Sequence, residues 1–129
     1  MEEKSRRQIQ IGFELRAIAQ DFFQRESSGA SLITVTDAEV SPDLTNAKIL
    51  ITVFPENKEQ AALDFAKRMR TDLRTAIKKK LQIRSIPFVE VDIDYGEKNR
   101  QHIDKLLLQD KIRTEALHSE EENTGNETL

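Results

Sequence analysis

Val40-Ser41-Pro42-Asp43-Leu44-Thr45-Asn46-Ala47-Lys48-Ile49-Leu50-Ile51-Thr52-Val53 passes from turn chemistry directly into an alternating strand. Leu32 to Val40 is β-branched and mostly apolar, Ser41 to Asn46 supplies Pro, Asp and Asn, and Ala47 to Phe54 alternates again. This is the signature of two antiparallel strands joined by a short turn. Everything else in the chain has to be arranged around that hairpin.

On the N-terminal side, Ile11, Leu15, Ile18 and Phe22 recur at offsets of three and four. That period predicts an amphipathic helix from Ser5 to about Gln24, slightly weakened by Gly12. Ser27 to Ser31 is a polar breaker before the first strand. On the C-terminal side, Pro55-Glu56-Asn57 ends the hairpin, and Asn57 with Gln60 has the form of a helix N-cap and its capping-box partner. The next helix carries an apolar stripe of Ala62, Phe65, Ala66, Met69, Leu73, Ile77 and Leu81, with Lys67, Arg70, Arg74 and Lys78 as a cationic stripe beside it. Ile86-Pro87 closes that helical region. Val89, Val91, Ile93 and Tyr95 alternate with polar residues as a third strand, ending near Gly96. A short helix is expected over 99–113.

The order helix, strand, strand, helix, strand restricts the topology. A right-handed crossover returns the third strand parallel to the second, so the expected sheet order is 1-2-3 with the helices on one face. The fold class is therefore α+β, with one domain over 5–113 and an acidic tail over 114–129 that is expected to be disordered.

Composition bounds the function. The 129 residues are 37% hydrophobic and 33% charged, enough for one modest core and a highly charged surface. With no cysteine, disulfides, thiolate metal sites and cysteine nucleophiles are excluded. The charged N-terminus has no apolar run behind it and no segment approaches membrane-span length, so a cytoplasmic, non-membrane protein is expected. The formal net charge of -3 is unevenly spread. Five acids and no Lys or Arg lie from Glu115 onward, leaving 20 basic against 18 acidic residues in the rest. From Lys67 to Arg84 there are eight basic residues and one acid, Asp72. That one-sided cluster is the electrostatic footprint expected of a phosphate-binding surface, although clustered cations on a helix are more often simply solvated.

Other candidate sites have ordinary explanations. Glu90, Asp92 and Asp94 share one face of a strand, as metal ligands would, but such alternation is the usual mark of a strand with a wet face. His102 and His118 stand apart from any nucleophile and carboxylate. Phe88 and Tyr95 could stack on a base, whereas aromatics at strand ends more often pack in a core. No triad, Walker-type loop or dinucleotide fingerprint occurs, so no catalysis, metal or cofactor is expected.

The particular residues of the hairpin, Val40-Ser41-x-Asp43-Leu44, then Ala47-Lys48 and Ile49-x-Ile51-Thr52-Val53, resemble the central motif of the bacterial ribosome-binding factor A family. The resemblance extends in order through Arg84, Ile86-Pro87, Asp94, Gly96, Arg100 and Ile103-Asp104-Lys105-Leu106-Leu107, covering about Arg6 to Leu108. It implies a type II KH-like domain that binds RNA. KH domains usually clamp the nucleic-acid backbone with a GxxG loop. None occurs here, and the family's Ala-x-Gly kink corresponds to Met69-Arg70-Thr71, without either small residue. One continuous helix and a broken one both remain open at that point, as does the layout helix-strand-strand-helix(-helix)-strand.

The resemblance further implies a monomeric assembly factor for the immature 30S subunit, binding the 16S rRNA precursor and assisting late maturation at its 5′ end. No small-molecule substrate is expected. The residues expected to touch RNA are Arg68, Arg70, Arg74, Lys78, Lys79, Lys80 and Arg84, with Arg6 and Arg7 as additional contacts. The competing readings are a protein-protein adaptor and a KH-like binder of some other RNA.

Overall fold

The computed structural model describes residues 4–127, with side chains described for 4–117. Its elements are α1 (Arg6–Glu26), β1 (Leu32–Val40), β2 (Asn46–Phe54), a 3-10 turn (Glu56–Lys58), α2 (Glu59–Arg68), α3 (Arg70–Lys80), β3 (Phe88–Ile93) and α4 (Tyr95–Glu127). The chain divides into two compact units, Met1–Asp94 and Tyr95–Leu129.

In the first unit the sheet has the expected order β1-β2-β3. β1 and β2 are antiparallel from Leu32↔Phe54 to Val40↔Ala47, and β2 and β3 are parallel from Asn46↔Phe88 to Ile51↔Ile93. The β1–β2 register shifts between Val35 and Asp37, which leaves Thr36 as an extra residue. That bulge reconciles the sequence with a single inner face. Ile33 and Val35 point inward before it, and Ala38 and Val40 after it, although the two pairs differ in parity. The Thr36 hydroxyl donates to the Asp94 carboxylate and lies 3.2 Å from Leu50 O, so the displaced side chain finds a partner.

The turn is held by Asp43. One carboxylate oxygen accepts hydrogen bonds from the Thr45 amide and from the Ser41 and Thr45 hydroxyls. Leu44 stands at φ 64°, a conformation that disfavours a side chain. Its side chain packs against the hydrophobic core, which offsets the strain. Thr45 O accepts the Phe88 amide at 2.8 Å, tying the turn to the start of β3.

α1 buries Ile11, Leu15, Ile18, Ala19, Phe22 and Phe23. Each large apolar side chain removed from water in this way contributes roughly 1.5–3 kcal/mol. Its N-terminus is closed by a reciprocal capping box: the Ser5 hydroxyl accepts the Gln8 amide at 3.1 Å, and Gln8 Oε1 accepts the Ser5 amide at 2.9 Å. Gly12 permits a close approach to β1, because a Cβ there would lie 2.9 Å from Ala38 O. α1 also covers the outer edge of β1. Gln20 Nε2 donates to Ile33 O and Gln20 Oε1 accepts the Val35 amide, while Gln8 Nε2 donates to Val40 O. The edge backbone is thus paired by side chains rather than left open to another strand.

Several local expectations are corrected. Asn57 and Gln60 do not form a capping box: Asn57 lies in the 3-10 turn, α2 has no side-chain cap, and Gln60 donates to Asp64. Tyr95 is not an inward strand residue. β3 ends at Ile93, and Tyr95 is the exposed first residue of α4, with Gly96 following it inside the helix. The second unit is a helix longer at both ends than the expected 99–113 segment. It carries the side-chain ladder Glu97, Arg100 and Asp104, followed by Asp110 and Arg113, at the three- and four-residue spacings that support a helix surface. Within the acidic tail, the side chains of 118–127, His118 among them, and residues 128 and 129 lie outside the described residues.

Candidate nucleic-acid interface

The cationic surface is built on the helical region between β2 and β3. Ala62, Leu63, Ala66, Leu73, Ile77 and Leu81 are buried there and Met69 is partly buried, so the cations between them are forced outward. The region is broken at Met69, whose φ -85° and ψ 5° separate α2 from α3. Two bonds of the helical ladder survive on either side: Met69 N to Phe65 O at 3.0 Å and Leu73 N to Met69 O at 2.9 Å. The apolar stripe therefore continues through the break. This settles the open choice in favour of two helices, at the position where the small residues of the family kink are missing.

Arg70, Arg74 and Lys78 follow at four-residue intervals along α3, all exposed and on one side of the helix. Arg84 reaches the same side from the segment after α3. It lines an open groove of about 430 Å³ together with Arg74, Lys78, Thr71, Thr75 and Ser85. Arg74 Nη2 lies 3.5 Å from Ile86 O, an approach that joins α3 to the segment before β3. At the other end of the row, the Arg70 guanidinium stands 4.9 Å from the centroid of the Phe88 ring. The structure thus brings together four of the expected cations, with hydroxyl donors beside them.

The remaining cations lie elsewhere. Lys80 Nζ donates to Asp21 at 2.9 Å, and Asp21 also pairs with Arg25 at 3.2 Å. The Lys80 hydrogen bond is the main reason the Asp21 carboxyl is held below its ordinary value. Arg7 and Lys80 border a second crevice with Gln10 and Gln82, and Lys79 borders a third with Arg25 and Asp72. Arg6 and Arg68 are exposed and line none of these three grooves. The single basic cluster of the sequence therefore becomes one continuous row and separate flanking charges.

No group of three metal-ligating side chains is assembled among the described residues. Two of the three strand carboxylates have other partners: Asp92 accepts its neighbour's Ile93 amide at 2.8 Å, and Asp94 accepts the Thr36 hydroxyl. The described residues contain no helix long and apolar enough to cross a membrane. Phe88 departs from the ordinary expectation for a strand-end aromatic, being 45% exposed rather than packed in the core. The sequence signal for it was its outward place in the alternation of β3.

The family described as Ribosome-binding factor A matches residues 4–107. Ribosome-binding factor A of Natranaerobius thermophilus is 30% identical over 99 residues, covering 74% of this chain and 76% of that protein. Among solved structures, ribosome-binding factor A from Thermus thermophilus superposes with a TM-score of 0.61 at 21% identity, over 67% of this chain and 94% of that one. A second Thermus thermophilus structure, described as a homology model fitted into the cryo-EM map of a 30S complex, superposes with a TM-score of 0.56 at 22% identity, over 63% of this chain and 88% of that one. At these identities the structural likeness establishes the KH-like fold.

Proposed function

Because this chain belongs to the ribosome-binding factor A family, we propose that it binds the immature 30S subunit through the phosphates of the 16S rRNA precursor and assists late maturation there. The observation that carries this reading is the exposed row Arg70, Arg74 and Lys78, joined by Arg84 across one groove. Guanidinium and ammonium groups at helical spacing engage successive phosphates as forks and point charges, which fixes orientation without reading sequence. The family name and the 30S complex of the Thermus thermophilus relative supply the partner. Arg68, Lys79, Lys80, Arg6 and Arg7 would add longer-range attraction from the flanks.

The proposed role is positional and noncatalytic. A monomer in the cytoplasm holds the precursor near the 5′ end of 16S rRNA while nucleases supplied elsewhere process it, and leaves when the subunit is complete. The acidic segment from 114 onward would oppose unspecific association with RNA by like-charge repulsion of phosphates.

Sedimentation of extract containing tagged protein tests the reading. Wild type should travel with free small subunits and little with translating ribosomes. The folded double variant Arg74→Glu/Lys78→Glu should remain at the top of the gradient. Co-sedimentation with a protein complex lacking rRNA, or undiminished subunit binding by the double variant, would overturn it.

A further inference from the structure

We propose that Phe88 is the stacking platform for one unpaired nucleotide, so that the cationic row receives a single-stranded stretch of RNA with one base turned into the groove beside β3. This rests on the phosphate-binding reading above and adds what lies at the end of the row. Three observations carry it.

Phe88 is 45% exposed on the outer face of the sheet, while Val89, Val91 and Ile93 of the same strand are buried. Its ring is approached by Arg70, the first cation of the row, at 4.9 Å. It also lines an open groove of about 370 Å³ with Asn46, Lys48, Glu39 and Glu90. An arginine over an aromatic face is a favourable contact, and exposed aromatic rings with a neighbouring arginine are what nucleobases stack upon.

The charge of the groove decides which part of a nucleotide enters it. Lys48 sits opposite Glu39 on one side and Glu90 on the other, so the groove floor carries one cation between two acids. A phosphate is repelled from that floor. An uncharged base is not, and carboxylates are good acceptors for the exocyclic amino groups of bases. Asn46 stands directly across from Phe88 in the parallel register, within reach of a base edge. The phosphate of the same nucleotide then falls toward Arg70 and the next ones toward Arg74 and Lys78. Duplex RNA cannot use the platform, because its bases are stacked and paired internally.

The chain contains no tryptophan, so Phe88→Trp introduces a single indole at the platform. Binding is measured on the full chain with a ten-nucleotide single strand and with a hairpin duplex, at fixed salt. Phe88→Ala should weaken the single strand on the order of tenfold and leave the duplex unchanged. Phe88→Trp should bind the single strand as wild type does, with its fluorescence quenched by the single strand and not by the duplex. Equal losses for both RNAs, no loss in Phe88→Ala, or an unquenched indole in a bound complex would overturn the platform while leaving the phosphate row standing. Failure of wild type to bind either RNA at low salt would overturn both.

Discussion

Replacing Arg74 and Lys78 by Gln should halve the salt dependence of RNA binding without touching the fold. Both side chains are exposed and lie off the buried stripe of Leu73, Ile77 and Leu81, so the urea midpoint should move by less than the equivalent of about 0.5 kcal/mol. In the wild type, Arg70, Arg74, Lys78 and Arg84 offer four charges along one row. If each neutralises one phosphate of a single strand, log K falls against log salt with a slope of about -2.8. Affinity then drops about 50-fold between 50 and 200 mM salt. With two of the four removed the slope becomes about -1.4 and the drop about sevenfold. The assay is fluorescence anisotropy with labelled single-stranded RNA at a series of salt concentrations. Lys79→Gln is the matched control, since Lys79 borders a different crevice. An unchanged slope in the double variant, or an equal effect per charge at Lys79, would refute the argument that the row rather than general basicity holds the RNA.

Other consequences concern the scaffold and its response to acid. Gly12→Ala gains about 1 kcal/mol of helix propensity, but its Cβ would meet Ala38 O at 2.9 Å, so a net loss of about 1–2 kcal/mol should appear in urea unfolding; a gain would disprove the close approach of α1 to β1. Gln20→Ala removes the partners of Ile33 O and the Val35 amide, and should cost about 1–3 kcal/mol. It should also raise self-association through the opened β1 edge, as read by light scattering; wild-type stability and monodispersity would show that α1 does not protect that edge. The Asp21 carboxyl is held below its ordinary 3.8 by Lys80 first and Arg25 second. Its favourable contribution is therefore present above that ordinary value and is lost as pH falls through the depressed one. Thermal melts from pH 7 to pH 2.5 should lose less stability in Asp21→Asn than in wild type; parallel curves would remove Asp21 from the acid response.

The fold was legible wherever one physical signal dominated. The hairpin at 32–54, the period of α1 and the 1-2-3 sheet order follow from alternation, turn residues and crossover handedness. The bulge at Thr36 was hidden because its parity change emerges only from pairing with β2. Ser5 with Gln8 and Asn57 with Gln60 share one spacing, yet only the first pair has the geometry of a capping box, so spacing alone does not separate them. The break at Met69 has no local Gly or Pro to announce it, and the side-chain period continues across it. The candidate surface was legible as a charge excess but not as an arrangement. Arg70, Arg74, Lys78 and Arg84 converge only once the segment after α3 folds back, and Lys80 is drawn aside by Asp21 from another helix. Phe88 joins the same surface because β3 begins beside the α2–α3 break, where Arg70 reaches it.

The proposed function requires that RNA of the immature small subunit lie along the row from Arg70 to Arg84. Ultraviolet crosslinking of the full chain to purified immature 30S subunits, followed by mass spectrometry of the nucleotide-bearing peptides, measures this directly. Adducts should concentrate between Arg68 and Phe88 and should be lost in Arg74→Glu/Lys78→Glu. Adducts confined to α1 or the hairpin, or rRNA adducts that persist in the double variant, would contradict it.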